Sequence, residues 1–284
     1  MENRIEQKAG NSSTNLQVVN FGISYTDAQE IALNVFKDNF LKLSKEAENT
    51  AVKRIEELVN DFLNNLYETN KELINKLQEP AVQYSLYNVQ REYAKTGDKE
   101  LKVQSLYLLV ERLNSEERSL TQIVLDEAIE ILPKLSKKQL NLISLLLITQ
   151  PLFHYGCPPL DKLKKLCSCL PNSVYHLHST FDYLQSLGCL LSVEVETYNS
   201  YSFKQIEKVL KIYSMENDFS LVENIENFLY ENQPELFRLY SFWKLNENKK
   251  IKFTPVGFAI ALANWNIQTD VYYPIEQFFR LYYL

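Results

Sequence analysis

The sequence predicts a mainly α-helical protein: a long N-terminal helix, a helical bundle, a winged-helix-like middle segment with a short β-hairpin, and a helical C-terminal part. Three observations carry this. Apolar residues recur at steps of three and four along most of the chain. Only 6 Gly and 9 Pro occur in 284 residues, which favours long uninterrupted elements over a turn-rich β fold. Hydrophobic residues make up 45%, enough for a sizeable core in one large or two ordinary domains.

Residues 1–24 stand apart as a flexible, β-prone N-terminal motif. Gln7 to Gln17 is small, polar and amide-rich, and Val18 to Ile23 is apolar and β-prone, with no helical stripe. From Thr26 the pattern changes. Thr26 is placed to cap a helix, with Gln29 three residues on as its capping-box partner. Residues 25–79 then read as one long helix, a candidate coiled coil, with a break near Glu46–Thr50 as the alternative. Its stripe runs through Phe36, Phe40, Leu43, Ala47, Ala51, Ile55, Leu58, Phe62, Leu66, Leu73 and Leu77, with no Pro or Gly between Asp27 and Pro80. A helix of that length ordinarily packs against a partner, so oligomer formation is expected through this stripe.

Pro80 suits the first turn of a new helix. Residues 80–135 form the bundle, with helices near 81–95, 99–114 and 119–132, broken at Gly97-Asp98, Asn114-Ser115 and Pro133. Residues 136–203 predict three helices and a hairpin, the winged-helix order. Leucine stripes mark the helices, Gly188 ends the third, and Leu190 to Glu196 begins the hairpin, which turns back at Asn199-Ser200. Residues 204–284 are helical again around a short strand at Lys250–Thr254. An apolar helix opens at Thr254-Pro255, and the aromatic tail Val271 to Leu284 is expected to pack on the body.

The net charge is -6, with acids and bases mixed along the chain, which argues against nucleic acid held through its phosphates. The third helix of the winged-helix order, Ser173 to Gly188, contains no Lys or Arg, so protein contacts fit it better than a DNA groove. The most apolar stretch, Leu140 to Phe153, is interrupted by Asn141, Ser144, Thr149 and Gln150 and is too polar to span a membrane. The N-terminus has no signal-peptide core. A cytoplasmic protein with its four cysteines as thiols is expected.

Cys157, Cys167, Cys169 and Cys189 share one stretch with His154, His176 and His178. Of these, Cys157, Cys167, Cys169, His154 and His176 are the candidate metal ligands. Neither Cys167-x-Cys169 nor His176-x-His178 places both members on one helix face, and no C-x2-C pair occurs, so no metal is expected. His154 and Cys157 flank a bent loop and are the candidate base and nucleophile if the protein is an enzyme. No nucleotide-binding, metalloprotease or serine-hydrolase motif occurs. No catalytic residue and no cofactor is assigned.

The remaining candidate is the N-terminal segment. Asn and Gln side chains form ladders when identical strands stack, and such a segment also adds to a sheet edge. Gln7, Gly10, Asn11, Asn15, Leu16, Gln17, Asn20 and Phe21 are its expected interaction residues. The predicted function is a non-enzymatic interaction or adaptor protein that joins a protein partner or copies of itself. A winged-helix transcription regulator is the alternative, and an enzyme using His154 and Cys157 is the third reading.

Gln7-Lys8-Ala9-Gly10-Asn11-Ser12-Ser13-Thr14-Asn15-Leu16-Gln17 resembles the signature Q-x-A-G-x-x-S-x-N-[IL]-Q of an uncharacterised family of bacterial cytosolic proteins. Glu79-Pro80-Ala81-Val82-Gln83 resembles that family's D-P-x-x-Q, with Glu79 in place of Asp. Phe253-Thr254-Pro255-Val256-Gly257-Phe258-Ala259-Ile260-Ala261-Leu262-Ala263-Asn264 resembles its L-T-x-V-G-x-A-I-A-x-A-N. The resemblance implies a bacterial source and carries no established activity. The N-terminal segment is also similar to short signalling motifs of bacterial anti-phage systems, which implies an adaptor role in defence.

Overall fold

The computed structural model describes residues 23–39, 44–149, 159–168, 170, 175–192, 201–202, 225–246, 250–269 and 272–282. The fold is mainly α, as the apolar periodicity predicts, with a short antiparallel sheet.

The expected long helix is divided. Helix α1 spans Tyr25–Asn39 and α2 spans Lys45–Thr69, and a 3-10 segment, Lys71–Gln78, follows. The two helices run antiparallel, because Tyr25 Oη donates to Asn64 Oδ1 and Gln29 Nε2 donates to Asn60 Oδ1. The second break has a local cause. Asn70 takes an extended conformation, and its side chain accepts from the Glu72 backbone N–H. A short amide competes in this way with the helix ladder, and it does so where the stripe steps from Leu66 to Leu73. The helix start also differs from the Thr26 and Gln29 expectation. Ser24 is the cap: its Oγ accepts from the Asp27 backbone N–H, and Asp27 Oδ2 accepts from Ser24 N and Oγ. That exchange is a capping box built on Asp rather than Gln, and it holds the Asp27 carboxyl below its usual range.

Most of the described stripe turns inward; Ala47 is exposed, and Phe40 and Leu43 lie outside the described residues. Phe36, Ala51, Ile55, Leu58, Phe62, Leu66, Leu73 and Leu77 are buried among the chain's own helices. They pack with α3 (Pro80–Thr96). Pro80 occupies the first turn of α3, and Gln83 Nε2 donates back to the Leu77 carbonyl, closing the 3-10 segment onto the new helix. Gly97 ends α3 in the left-handed conformation at φ 63°. Arg54 reaches across from α2 to cap the exposed carbonyls of Ala94 and Lys95.

Helices α4 (Lys99–Asn114), α5 (Leu120–Ile131) and α6 (Lys137–Leu146) follow with side-chain caps from Asp98, Ser119 and Ser136. Each cap stabilises its helix by about 1 kcal/mol. Arg112 on α4, 2% exposed, pairs with Asp126 on α5, which also accepts from Ser85 Oγ on α3. One ion pair thus ties three helices together.

Helices α7 (Leu160–Cys167) and α8 (Tyr175–Ser186) and strands β1 (Leu190–Ser192) and β2 (Tyr201–Ser202) appear in the expected order. Gly188, at φ 70°, closes α8, with Cys189 N donating to Leu184 O and Gly188 N donating to Gln185 O. This double closure is a Schellman motif. The strand pairing differs from a simple hairpin. Strand β3 (Lys250–Phe253) lies between the other two and is antiparallel to both, with Leu190 opposite Phe253 and Tyr201 opposite Ile251. Helices α9 (Ile225–Asn232) and α10 (Pro234–Asn246) precede β3. The first part of the expected helical stretch, residues 204–224, lies outside the described residues.

Helix α11 (Pro255–Thr269) is the centre of the body. Every residue from Val256 to Asn266 is buried, and α4, α5, α6 and α7 all pack on it. A helix apolar on all sides is what a core position requires. The Thr254 hydroxyl accepts from Gly257 N, capping α11, and it donates to the carbonyls of Gly188 and Cys189. A Cβ at Gly257 would stand 1.8 Å from the Cys189 carbonyl oxygen, so only Gly admits this approach. Helix α12 (Ile275–Tyr282) packs back on α11 and α5, as expected of the aromatic tail.

Candidate binding cleft

Helix α4 carries more apolar surface than its core contacts consume. Leu108, Leu109 and Leu113 face the core. A second row, Val103, Leu106, Tyr107 and Val110, continues around the helix at steps of three, one and three, and Val103 is 47% exposed. Facing this row, α2 presents Asp61, Asn65 and Thr69 at steps of four, one helical face. Ile267 of α11 and Tyr272 complete the walls of a cleft of about 530 Å³. That volume is in the range of small-molecule sites.

Charged groups mark the two ends. At one end Lys102 Nζ donates to Glu57 Oε1 and Asp61 Oδ2, both at 2.6 Å, and lies 5.3 Å from the Tyr93 ring centroid. Burial opposes the ammonium, yet the two carboxylates outweigh it and raise the Lys102 pKa. Glu57 is held below the usual carboxylate range by the hydrogen bond from Lys102. Lys99 adds a second positive charge that acts on Glu57.

At the other end stands Glu111, nine residues further along α4, or about 14 Å at 1.5 Å per residue. Burial raises the Glu111 pKa, partly opposed by hydrogen bonds from Tyr272 and Tyr107, and Glu276 raises it further. Tyr272 Oη donates to Glu111 Oε1 at 3.1 Å. Asn266 Nδ2 donates to Tyr107 Oη at 2.8 Å and to the Tyr273 carbonyl at 2.9 Å, and Tyr273 N donates to Asn266 Oδ1 at 3.1 Å. Asn266 thus fixes Tyr107 and the turn into α12 together. Burial pushes the Tyr272 phenol up to about 12 and raises Tyr107 as well, with the Glu111 charge adding to both.

The residues singled out in the sequence lie elsewhere. Gln7, Gly10, Asn11, Asn15, Leu16, Gln17, Asn20 and Phe21 are outside the described residues, as are His154, Cys157 and Cys169. Cys167 ends α7 and is buried, and His176 is in the first turn of α8. Cys189 is also buried, which pushes its thiol up to about 11. Among the described residues no group of three or more His, Cys, Asp or Glu side chains is placed to hold a metal ion. No described helix is long and apolar enough to cross a membrane. Sequence periodicity does not reveal the cleft, because its residues come from the long-helix region, a bundle helix and the C-terminal part. The available signal was the second apolar row on α4, wider than one packed face requires.

Set beside known proteins, residues 22–215 match the model of a protein family whose function is uncharacterised. No curated protein matches the chain, and no solved structure does.

Proposed function

The chain belongs to that uncharacterised family, and we propose that it works as a bacterial interaction or adaptor protein. In this reading the helical body receives a ligand in the α2/α4 cleft, and the amide-rich segment from Gln7 to Phe21 recruits a partner or further copies of the chain. The observation that carries the reading is the disposition of apolar surface. Most of the described stripe of α1 and α2 is buried inside the body, whereas the second row of α4 opens to solvent between charged and phenolic groups. Apolar walls with a few placed polar groups are the make-up of a binding site.

The junction with the N-terminal segment supports the division of labour. Ile23 N donates to Asn75 Oδ1, and Ser24 caps α1, so the residues that follow the segment are tied to the body. Deleting residues 2–20 retains both contacts. Far-UV circular dichroism and the melting temperature are expected to stay as in the full chain, while self-association in sedimentation velocity or co-purification of a partner is lost. Unchanged association and co-purification would sink the recruitment reading, and an unfolded body would make the segment structural. In the anti-phage setting, the same deletion raises phage plating efficiency on cells that depend on this protein.

A further inference from the structure

We infer that the α2/α4 cleft takes an uncharged nucleoside, its base lying on the apolar wall and its polar edge turned to α2. The inference rests on reading the body as a binding module, but not on recruitment by the N-terminal segment.

Charge excludes ions. Among the described residues that line the cleft, Lys102 is the single cation, and its ammonium already donates to Glu57 and Asp61. Its side chain is 7% exposed, so a phosphate or carboxylate finds no free positive partner there. A cationic ligand fares no better. Asp61 is engaged by Lys102, and Lys99 acts on Glu57. Burial holds back the ionisation of Glu111, whose Oε1 already accepts from Tyr272. A charge taken out of water without a partner is strongly disfavoured, so the lining suits a neutral molecule.

The open polar groups are mostly acceptors. Thr69 Oγ1 donates to the Asn65 carbonyl, and Asn114 Nδ2 donates to the Val110 carbonyl. The lone pairs of Thr69 Oγ1 and Asn114 Oδ1 are left to accept. Asp61 binds Lys102 through Oδ2 and keeps Oδ1. The side-chain amide of Asn65 has no hydrogen-bond partner among the described residues. A ligand that answers these groups carries O–H or N–H donors. The Asn65 amide, donor and acceptor side by side, pairs in bidentate fashion with the edge of a base.

The apolar wall narrows the class. Val103, Leu106, Val110 and Ile267 offer no hydrogen-bonding side chain, and Val103 is 47% exposed. A flat ring face covers such a row. A sugar alone satisfies the acceptors and leaves the row in water, and a hydrocarbon does the reverse. A nucleoside joins a flat base to a ring of hydroxyl donors and carries no charge.

Isothermal titration of the full chain with adenosine, guanosine, cytidine and uridine tests the site. The corresponding 5′-monophosphates and methyl glucoside are the comparison ligands. At least one of the nucleosides is expected to bind, one molecule per chain, about tenfold or more tightly than its monophosphate or the glycoside. Asn65→Leu, at an exposed position, should weaken that nucleoside about tenfold. Val103→Gln keeps the helix, replaces part of the apolar wall, and should weaken it several-fold. Far-UV circular dichroism should be unchanged in both variants. Folded protein that binds none of the nucleosides overturns the inference, as does equal binding of the monophosphate or the glycoside, or affinity indifferent to both substitutions. Any of these results leaves the deletion test of the N-terminal segment standing.

Discussion

Asn264 and Gln104 meet at the centre of the core, 160 positions apart in sequence, with Gln104 Nε2 donating to Asn264 Oδ1 at 2.7 Å. Asn264 Nδ2 in turn donates to Ser144 Oγ, to Asn141 Oδ1 and to the Leu140 carbonyl. Ser144 Oγ donates to the Ala261 carbonyl. A buried amide thus fixes the rotation of α11 against α4 and α6.

Asn264→Leu strands the Gln104 amide in an apolar interior and should cost about 3 kcal/mol in urea unfolding. The double variant Gln104→Leu/Asn264→Leu removes both halves of the pair. It should lose less than the sum of the two single changes, with a coupling of about 1 kcal/mol. Strict additivity would show that the pair contributes nothing jointly.

Two glycines separate close approach from backbone conformation. Gly188 has a positive φ and open space around its missing Cβ, so Gly188→Ala should cost about 1 kcal/mol. Gly257→Ala sets a methyl group against the Cys189 carbonyl and must push α11 away from β1. A loss of about 3 kcal/mol or more is expected, read as a much larger drop in melting temperature than the Gly188 variant shows.

Glu111 gives stability a pH dependence of definite sign. Its folded pKa lies above the ordinary 4.5, so between that value and the folded pKa the native state holds more protons than the unfolded chain. Its contribution is present in full below 4.5 and is lost as pH rises through the folded value. Glu111→Gln lacks this loss. The stability of Glu111→Gln relative to the parent should therefore increase as pH rises above 4.5, measured by urea midpoints. A constant difference would refute the assignment.

Lys102 should behave unlike a structural ion pair. Its side chain is 7% exposed, while the Glu57 and Asp61 side chains are 46% and 50% exposed. Lys102→Met keeps the buried stem and leaves the two carboxylates to water, so stability should change by no more than about 1 kcal/mol. Urea unfolding of Lys102→Met at neutral pH checks this, and a loss of about 3 kcal/mol or more would make the pair structural.

Much of the fold was legible because its signals are local. Pro80, Gly97, Ser136 and Gly188 each punctuate a helix by their own chemistry, and the stripes of α3 to α8 report burial without reference to distant partners. The long helix was over-read because periodicity persists across a break. Leu73 and Leu77 keep the phase of α2 although Asn70 has turned the chain. The place of β3 was illegible for another reason. Nothing in Leu190 to Ser202 states that Lys250 to Phe253 will enter between its strands. The cleft depends likewise on where α2, α4 and α11 diverge, which is a property of their arrangement and of no single segment.

The position of β3 and α11 has a consequence for the order of events during synthesis. Helices α4 to α7 and strands β1 and β2 all leave the ribosome before the elements that they enclose or flank. Until β3 and α11 arrive, α6 and α7 lack the helix that they pack on, and β1 and β2 lack the strand between them. The early chain is therefore an open shell whose apolar lining faces solvent. Such a state invites chaperones or aggregation, and long-range closure of this kind is slow. A nascent chain halted before residue 250 should be protease-sensitive throughout α4 to α8, and protection should appear in one step once α11 is available.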